Sequence, residues 1–438
     1  MKNFIKLFLF IISFTSYPQQ PQTMRVNGQV LTTVSGQAIT LRGINYPIID
    51  QGEISLANPV AYQHKIDQAA LTGANAIRLP WYTNGTHWRD NPDFGGPNVV
   101  SGYVNNGHLS DIIGYCHTKG MIPILEIHNV TCSDNWAAFN NVVMPWWKSQ
   151  VILNLIEEHK EYLIINLANE FGTVRWTNNA AANLTTFKNN YNSAIASLRA
   201  LGVKVPIMID APDCGQSSTE LLSIAPGMVV SDPQHNLIFS AHAYWAAYAE
   251  TLPAIEQKLD EADAANVHFI LGEVASTQDG NSCGSISLAT IYPMILEEAC
   301  SRNIGWLAWT YTLDCSSGRQ MTTNGEYNTL TAYGSDLVNN PVYGLKSTGG
   351  CGATSLNTKS VAPKATLTLY PNPAGSQFSI EGNQAIVKAT VYDIAGRKLK
   401  EVTSGFDAID VTSLQSGGYI VQVETEGNTV FSQKLIKN

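Results

Sequence analysis

The sequence has few charged residues and no excess of basic ones. Of its 438 residues only 14% are charged, Lys and Arg number 26 against 35 Asp and Glu, and the formal net charge is −9. Affinity for nucleic acid depends on Lys and Arg that neutralise phosphates, so this balance argues against a nucleic-acid partner. Hydrophobic residues make up 44%, which is ample for one barrel-sized domain and a smaller one.

Nucleotide and metal motifs are missing as well. The chain contains no G-x-G-x-x-G or Walker A pattern, no H-E-x-x-H pair and no C-x-x-C spacing among its seven cysteines. We therefore expect neither a metal nor an organic cofactor. The odd number of cysteines leaves at least one without an intramolecular partner, and Cys116 and Cys300, both in predicted helical segments, are the candidates.

Long hydrophobic runs are confined to the N-terminus. In residues 1–20, MKNFIKLFLFIISFTSYPQQ, Lys2 and Lys6 precede an apolar run from Leu7 to Phe14 that is too short to span a bilayer. This arrangement predicts a secretory signal peptide rather than a membrane anchor. No later segment is suited to crossing a membrane, so we expect an exported chain without a membrane span.

Eight short apolar runs alternate with amphipathic stretches between Val26 and Tyr343. Each run is continuously hydrophobic, as in strands buried on both faces, and periodic apolar residues over 180–201 and 287–303 predict two of the intervening helices. Eight strands with crossovers indicate an α/β fold, a closed (β/α)8 TIM barrel, with an open doubly wound sheet as the alternative. A hairpin is predicted over 24–33, ahead of the first strand. The predicted strands are ITLRGINY (39–46), ANAIRLPW (74–81), MIPILEIH (121–128), YLIINLANE (162–170), VPIMID (205–210), NLIFSAHAY (236–244), VHFILGE (267–273) and IGWLAWTY (304–311).

The composition changes after about Lys346. Residues 346–365 are small, polar and without periodicity, which is typical of a linker. All nine tryptophans precede it, and the residues beyond it alternate apolar and polar side chains between Gly, Asn and Pro turns, which predicts a small all-β sandwich. The expected organisation is a signal peptide over 1–20, a barrel over 21–345, the linker over 346–365 and the sandwich over 366–438.

Polar side chains recur at the C-terminal ends of the predicted strands, where a barrel of this kind carries its catalytic groups. Each one alone has a structural explanation, such as a core histidine or an ion pair. Such explanations account poorly for two glutamates, Glu170 and Glu273, that end the apolar strands four and seven. The full set is Arg78, His128, Asn169, Glu170, His242, Tyr244, Glu273, Trp306 and Trp309.

Two carboxyl groups that face each other across a barrel mouth suit glycoside hydrolysis. One must hold a proton for the leaving oxygen, and the other must be ionised to attack the anomeric carbon. An apolar strand end would raise the pKa of Glu170, which suits the acid. Arg78 and Tyr244 would keep Glu273 anionic, and Asn169 would hydrogen-bond the sugar 2-hydroxyl.

The motifs LRGINYP, NAIRLPW, PILEIH, INLANE, HAYW, LGE and WLAW, in this order, resemble glycoside hydrolase family 5 over about residues 24–345. The resemblance implies a secreted, retaining endo-β-1,4-glycanase with Glu170 as acid/base and Glu273 as nucleophile. Other stretches, such as IMIDAP and IFSAHAYW, are similar to a bacterial β-mannanase branch, which favours mannan over cellulose or xylan as the polysaccharide substrate. A glycan-binding barrel without catalysis is the alternative from another class. The remaining positions that match active-site residues of the family are Arg78, His128, Asn169, His242, Tyr244 and Trp309.

Aromatic residues in the strand-to-helix loops indicate a polysaccharide cleft, in which the apolar face of a sugar stacks on an indole. For each tryptophan taken alone, packing within its loop is an equal alternative. Cysteines fall in the same loops, so disulfides across this face are expected, first of all between Cys283 and Cys315. The residues concerned are Trp81, Trp88, Trp136, Trp176, Trp245, Cys132, Cys214, Cys283 and Cys315.

Residues 366–438 resemble the C-terminal sorting domain of the type IX secretion system. YPNPAGSQFSI, VYDIAGRKL, SGGYIVQV and QKLIKN carry the resemblance. It implies passage through the periplasm, the type IX machinery as a partner, and an enzyme, expected to be monomeric, that is secreted or held at the cell surface. A carbohydrate-binding β-sandwich is the alternative, and the absence of tryptophan from the tail disfavours it.

Overall fold

The chain divides into two compact units, Met1–Asn357 and Thr358–Asn438. The predicted signal peptide and nearly all of the predicted linker lie outside the described residues, so the three boundaries between the four predicted segments stay predictions. Within the described ranges, no helix is both long enough and apolar enough to cross a membrane. The computed structural model describes residues 22–50, 54, 60–83, 85–87, 89, 99–347, 367–382, 386–393, 397–425 and 430–438.

Eight parallel strands close into a barrel, which confirms the predicted fold. Every residue of these strands is buried, as expected for strands that are covered on both faces. The barrel closes where Trp306 of the last strand pairs with Arg42 of the first. In chain order the strands are β1 (Arg42–Asn45), β2 (Ala76–Trp81), β3 (Ile122–Ile127), β4 (Ile164–Asn166), β5 (Ile207–Asp210), β6 (Leu237–His242), β7 (Phe269–Val274) and β8 (Gly305–Ala308).

Helices connect the strands, and both helices predicted from periodicity are present. The first spans Ala180–Ala200 and ends before Gly202, whose φ is +90°. The second is shorter than predicted, because Ile286–Ser287 pairs with Thr277–Gln278 in a small antiparallel sheet and the helix begins only at Tyr292. The α-helices of the described residues are Ala61–Ala70, Val99–Asn105, His108–Thr118, Trp136–Ala138, Met144–Trp147, Gln150–Glu158, Ala180–Ala200, Ser218–Ser231, Leu252–Ala265, Tyr292–Ser301 and Ala332–Asn339.

The predicted hairpin covers the N-terminal end of the barrel. Strands Arg25–Asn27 and Val30–Thr32 pair around Gly28, whose φ of +57° suits the tight turn, and Ala38–Ile39 adds a third strand. Because apolar packing closes this end, the opposite, C-terminal end is left for polar side chains. The cluster that joins the hairpin to the barrel comprises Met24, Leu31, Ile39, Leu41, Ala76, Ile122, Ile124, Ile164, Met208, Ile238, Ile270 and Leu307.

Two disulfides join loops at the C-terminal end of the barrel. One links Cys132 to Cys214, and the other links Cys283 to Cys315, which confirms the predicted pair. Cys116 is free and buried, as predicted, and burial raises the pKa of its thiol. The other candidate for an unpaired thiol was wrong, since Cys300 is disulfide-bonded.

The C-terminal unit contains strands in antiparallel sheets, which confirms the predicted all-β class. Alternation along the strands buries one side of each sheet, and residues such as Phe378, Val391 and Val421 form a core separate from that of the barrel. One sheet contains Leu367–Tyr370, Gln377–Gly382 and Ile409–Asp410; the other contains Lys398–Val402, Ile386–Asp393, Gly417–Thr425 and Val430–Lys437.

Candidate active site

The C-terminal end of the barrel brings together eight of the nine side chains predicted at strand ends, whereas the ninth, Trp306, is completely buried and does not line the cleft. Arg78 and His242 are completely buried, and the other six line a cleft of about 420 Å³ above them: His128, Asn169, Glu170, Tyr244, Glu273 and Trp309. One local prediction was wrong, because β4 ends at Asn166 and Glu170 lies beyond it with a left-handed φ of +49°. Such backbone costs a non-glycine residue roughly 1–2 kcal/mol, so tertiary contacts must hold this turn.

Glu273, in β7, has a hydrogen-bond donor for each of its carboxylate oxygens. Nη1 of Arg78 donates to Oε1 at 2.9 Å, and the hydroxyl of Tyr244 donates to Oε2 at 2.6 Å. The residue is only 3% exposed, and an isolated carboxylate would be expensive to bury there. The two donors, one of them charged, stabilise the ionised carboxylate and fix its orientation.

Arg78, in β2, is the centre of the polar network beneath the cleft. Burial alone would lower the pKa of its guanidinium, but the charges of Glu126, Asp210 and Glu273 outweigh this effect and raise the pKa. Arg78 therefore stays charged. Its guanidinium donates to Asn45 Oδ1 at 3.0 Å, Asn166 Oδ1 at 2.9 Å, Asn169 Oδ1 at 2.6 Å, Asp210 Oδ2 at 3.1 Å and Glu273 Oε1 at 2.9 Å.

Two carboxylates of this network, Asp210 and Glu126, were missed by the sequence-based prediction. Both are fully buried, and Nη2 of Arg78 lies 3.1 Å from Asp210 and 3.7 Å from Glu126. The signal was visible, because each is an acidic residue within an apolar strand, in VPIMID and in PILEIH. An acid in such a run needs a cationic partner: Arg78 contacts both acids, and Nδ1 of His128 also lies 3.1 Å from Oε2 of Glu126.

Glu170 has a different environment from that of Glu273. Its Oε1 lies 2.7 Å from Nδ1 of His242, and its Oε2 lies 3.3 Å from Sγ of Cys132, a disulfide sulfur that carries no hydrogen to donate. Burial raises the pKa of Glu170, and the contact with His242 offsets only part of that rise. A carboxyl that keeps its proton longer than usual can act as an acid near neutral pH.

His242, the last residue of β6, lies between the two glutamates. Its Nδ1 is 2.7 Å from Glu170 and 3.5 Å from Oε1 of Glu273, and its Nε2 is 3.5 Å from Asp210. Burial would lower the pKa of His242, but the charges of Glu273 and Asp210 and the hydrogen bond to Glu170 raise it to about 9. One oxygen from each glutamate lies within 4.8 Å of the other, the short spacing that goes with a double displacement.

The remaining predicted residues form the walls of the cleft. The rings of His128 and Trp309 are nearly parallel, with centroids 5.9 Å apart, and the indole Nε1 of Trp309 donates to Asp314 at 2.5 Å. Asn169 accepts from Arg78 through Oδ1, and its amide group donates to Thr131 at 3.1 Å. These contacts hold a flat aromatic surface and a polar amide in the same cleft as the glutamates.

The tryptophans predicted to line a sugar cleft behave differently from one another. Trp176 does line it: the residue is 51% exposed, and its indole donates to the hydroxyl of Tyr248 at 2.6 Å. Trp81 and Trp245 are completely buried, and Trp136 packs edge-on against Phe171, so for these three the packing alternative holds. Trp88 lies outside the described residues.

Clusters of potential metal ligands within the described ranges are poorly suited to a metal. Two of them, around Cys132–Cys214 and Cys283–Cys315, contain disulfide sulfurs in place of thiolates. The third, Glu170, His242 and Glu273, contains a histidine whose raised pKa favours the protonated, non-ligating form. The expectation of no metal or cofactor stays a prediction.

Fold and site together define a glycoside hydrolase. Residues 33–314 match the family described as Cellulase (glycosyl hydrolase family 5), and this match covers more than half of the chain, so the protein belongs to glycosyl hydrolase family 5. Residues 368–438 match the secretion system C-terminal sorting domain. The protein is accordingly an enzyme that is secreted or displayed at the cell surface.

Similar proteins with assigned activities include two bacterial mannan endo-1,4-beta-mannosidases. The protein from Cellvibrio japonicus is 27% identical over 83% of this chain and 79% of its own length, and that from Streptomyces lividans is 26% identical over 80% and 78%. The catalytic domain of a mannanase from Streptomyces sp. SirexAA-E superposes with a TM-score of 0.59 at 22% identity, covering 77% of this chain and 96% of that domain. The β-mannanase of Thermomonospora fusca in complex with mannohexaose superposes with a TM-score of 0.58 at 22% identity, covering 76% of this chain and 98% of that chain. At this identity the structures establish the fold.

Proposed function

We propose that this enzyme is a retaining endo-β-1,4-mannanase in which Glu170 is the general acid/base and Glu273 the nucleophile. The observation that carries the proposal is the pair of buried glutamates with oxygens within 4.8 Å and unequal surroundings. One has a charged donor and a hydroxyl on its oxygens, and the other has a raised pKa. Retaining glycosidases use such a pair, with carboxyl groups about 5–5.5 Å apart.

In the first half of the reaction, a carboxylate oxygen of Glu273 attacks the anomeric carbon of the bound polysaccharide. The bond from that carbon to the glycosidic oxygen breaks, and its electron pair stays on the oxygen. The oxygen takes the proton of Glu170, so the leaving group departs with a new hydroxyl. The product is a covalent glycosyl-enzyme on Glu273. Arg78 and Tyr244 orient the attacking group and are already in place, so the transition state requires no reorganisation of these donors.

In the second half, Glu170 acts as a base. It takes a proton from water, the water oxygen bonds to the anomeric carbon, and the bond to Glu273 breaks to restore its carboxylate. His242 contacts both glutamates and holds Glu170 in position through both steps. Two inversions leave the product with the configuration of the substrate.

The cleft walls support binding of a polysaccharide. Trp309 offers a flat face beside the nucleophile, and Trp176 offers a second, exposed one. Arg78 fixes the side-chain carbonyl of Asn169, and Asn169 would contact the sugar 2-hydroxyl. His128, which lines the same cleft, would contact a neighbouring sugar hydroxyl. Mannan is the proposed polysaccharide because the similar proteins from Cellvibrio japonicus and Streptomyces lividans are named mannan endo-1,4-beta-mannosidases.

Cellulose is the second candidate substrate. A further similar protein, from Caldicellulosiruptor saccharolyticus, is named beta-mannanase/endoglucanase A and is 27% identical over 66% of this chain, although over only 20% of its own length. A glycan-binding barrel without catalysis is weaker, because both glutamates and their donors are present. We further propose that the enzyme acts as a monomer and that the type IX secretion machinery is its export partner.

One assay tests the substrate and the chemistry together. Reducing ends released from mannan, carboxymethylcellulose and xylan are measured with the wild-type enzyme, and NMR of the first product of an oligosaccharide records its anomeric form. We expect the fastest release from mannan and the β-anomer first. Faster release from carboxymethylcellulose would make the enzyme a cellulase, and an early α-anomer would exclude double displacement. No release from any of the three polysaccharides would favour the glycan-binding barrel without catalysis.

A further inference from the structure

The Cys132–Cys214 disulfide lies against the carboxyl group of Glu170. Cys132 follows β3, Cys214 follows β5, and Glu170 follows β4, the strand between them in the barrel. Sγ of Cys132 is 3.3 Å from Oε2 of Glu170, and both cysteines line the cleft. His242 contacts the other oxygen, Oε1, so the two carboxyl oxygens of Glu170 have different neighbours.

The chemistry of this contact favours a protonated carboxyl. A disulfide sulfur has no hydrogen and is only a weak acceptor, whereas a thiol, a hydroxyl or water at the same place could donate to Oε2. Donors stabilise the ionised form of a carboxyl and lower its pKa. Glu273 illustrates the opposite arrangement, with a donor on each oxygen.

The disulfide also joins the two loops that hold the backbone of Glu170. The turn after Glu170 is hydrogen-bonded to both loops: the amide of Gly172 donates to Ser133 at 2.7 Å, and the amide of Asp213 donates to Gly172 at 2.7 Å. Cys132, Cys214 and Glu170 all have left-handed φ values, of 56°, 53° and 49°. Non-glycine residues keep such conformations only where the surroundings hold them.

We propose that the Cys132–Cys214 disulfide positions the general acid: the disulfide holds the carboxyl of Glu170 in place and offers no hydrogen-bond donor to its Oε2. Acid catalysis then depends on the oxidised disulfide. This inference rests on the proposed role of Glu170. Cys132 is exposed, so an external dithiol can reach it: the dithiol closes to its own disulfide, and each cysteine sulfur gains one electron and one proton.

Two aryl β-mannobiosides test this inference, one with a phenyl and one with a dinitrophenyl leaving group. Only the phenol, a poor leaving group, needs the proton of Glu170. For Cys132→Ser/Cys214→Ser we expect kcat/KM to fall about tenfold on the phenyl substrate and to stay within about twofold on the dinitrophenyl substrate. The alkaline limb of the pH profile should move down by about one pH unit.

Matched variants separate the two parts of the effect. Cys283→Ser/Cys315→Ser removes the other disulfide of the same face and should leave the alkaline limb unchanged. Cys132→Ala/Cys214→Ala removes the bridge without adding a hydroxyl, so its pH shift should be smaller than that of the serine variant. If the variants fail to fold, the wild-type enzyme reduced with a dithiol and alkylated while folded is measured in the same way.

An unchanged alkaline limb with equal losses on both substrates would overturn the inference, because a merely structural disulfide affects both substrates alike. Glu170→Ala in parallel distinguishes this failure from that of the proposed function. If Glu170→Ala keeps full activity on the phenyl substrate, the role of Glu170 is wrong. If Glu170→Ala shows the loss and the disulfide variants do not, only the role of the disulfide is wrong.

Discussion

Glu273 and Glu170 are the same residue type at the same end of one barrel, yet their surroundings differ in kind. Each oxygen of Glu273 accepts a hydrogen bond, from Arg78 and from Tyr244. Glu170 has one oxygen beside His242 and the other beside a disulfide sulfur. In the proposed mechanism this difference in donors is the reason why one glutamate attacks and the other holds a proton, so the roles would be set by neighbours rather than by the side chain.

The largest expected effect comes from removing each carboxyl in turn. Glu273→Ala should lose at least ~10⁴-fold in kcat on every substrate, because no other group can form the covalent intermediate. Glu170→Ala should lose about 10²–10⁴-fold on mannan but retain glycosylation by a dinitrophenyl mannobioside, whose leaving group needs no proton.

Added azide makes the comparison sharper. It should rescue Glu273→Ala as an α-glycosyl azide, after one inversion, and Glu170→Ala as a β-glycosyl azide, after two. NMR of the azide products checks the anomers. The same anomer from both variants, or full activity in either, would contradict the assignment of roles.

Arg78→Lys should produce the next largest effect. The guanidinium of Arg78 donates to five oxygen atoms, and a lysine ammonium cannot make all of these contacts. Glu273, Asp210 and Glu126 would then be left partly unpaired. We expect kcat to fall by about 100-fold and the free energy of unfolding to fall by about 3 kcal/mol, measured by steady-state kinetics and by denaturant titration.

Arg199→Lys is the matched control for Arg78→Lys. Arg199 forms a buried, two-pronged ion pair with Asp232, at 2.9 Å for each contact, and it lies outside the cleft. The control should lose stability while kcat of the folded enzyme stays the same. Equal kcat in Arg78→Lys and wild type would show that the network serves the fold alone.

The pH dependence should separate the proton on Glu170 from that on His242. If Glu170 is the acid, as proposed, turnover requires its protonated form, so the alkaline limb of the pH profile should fall as the pH rises through the raised pKa of Glu170. The pKa of His242 is about 9 in the folded enzyme, against about 6.5 in the unfolded chain, so its contribution to stability is complete below about pH 6.5 and is lost as the pH rises towards 9.

Unfolding titrations between these two pH values test the histidine. His242→Gln should flatten the decline in the free energy of unfolding. His159→Gln is the control, because burial lowers the pKa of His159, so its contribution to stability is present at high pH and is lost as the pH falls. A decline that persists unchanged in His242→Gln would show that another group causes it.

The smallest expected effect concerns the tail. A chain truncated after Gly350 should keep its kcat/KM on soluble polysaccharide within about twofold, because the barrel has its own core and the tail has another. In the native host the truncated enzyme should stay in the periplasm. Normal secretion together with lost binding to insoluble polysaccharide would instead identify the tail as a binding module.

Much of the barrel and of the site could be predicted from local pattern. Continuous apolar runs identified all eight strands, and the side chains that end them, together with the family resemblance, identified the eight side chains found around one cleft. This works because parallel strands of a barrel present their C-terminal ends on one side, so position along each strand is enough. The tryptophans show the limit: Trp176 is exposed and Trp245 is buried, although both follow strand ends.

Local sequence patterns and two family resemblances predicted the barrel, the all-β tail, the exported character and the two glutamates, because these properties depend on residues close together in the chain. Long-range contacts decided the rest. The turn that carries Glu170, its disulfide neighbour and the network of Arg78 with Asp210 and Glu126 join segments far apart in sequence. The surroundings of a carboxyl determine its pKa, so which glutamate holds the proton is a property of the folded chain.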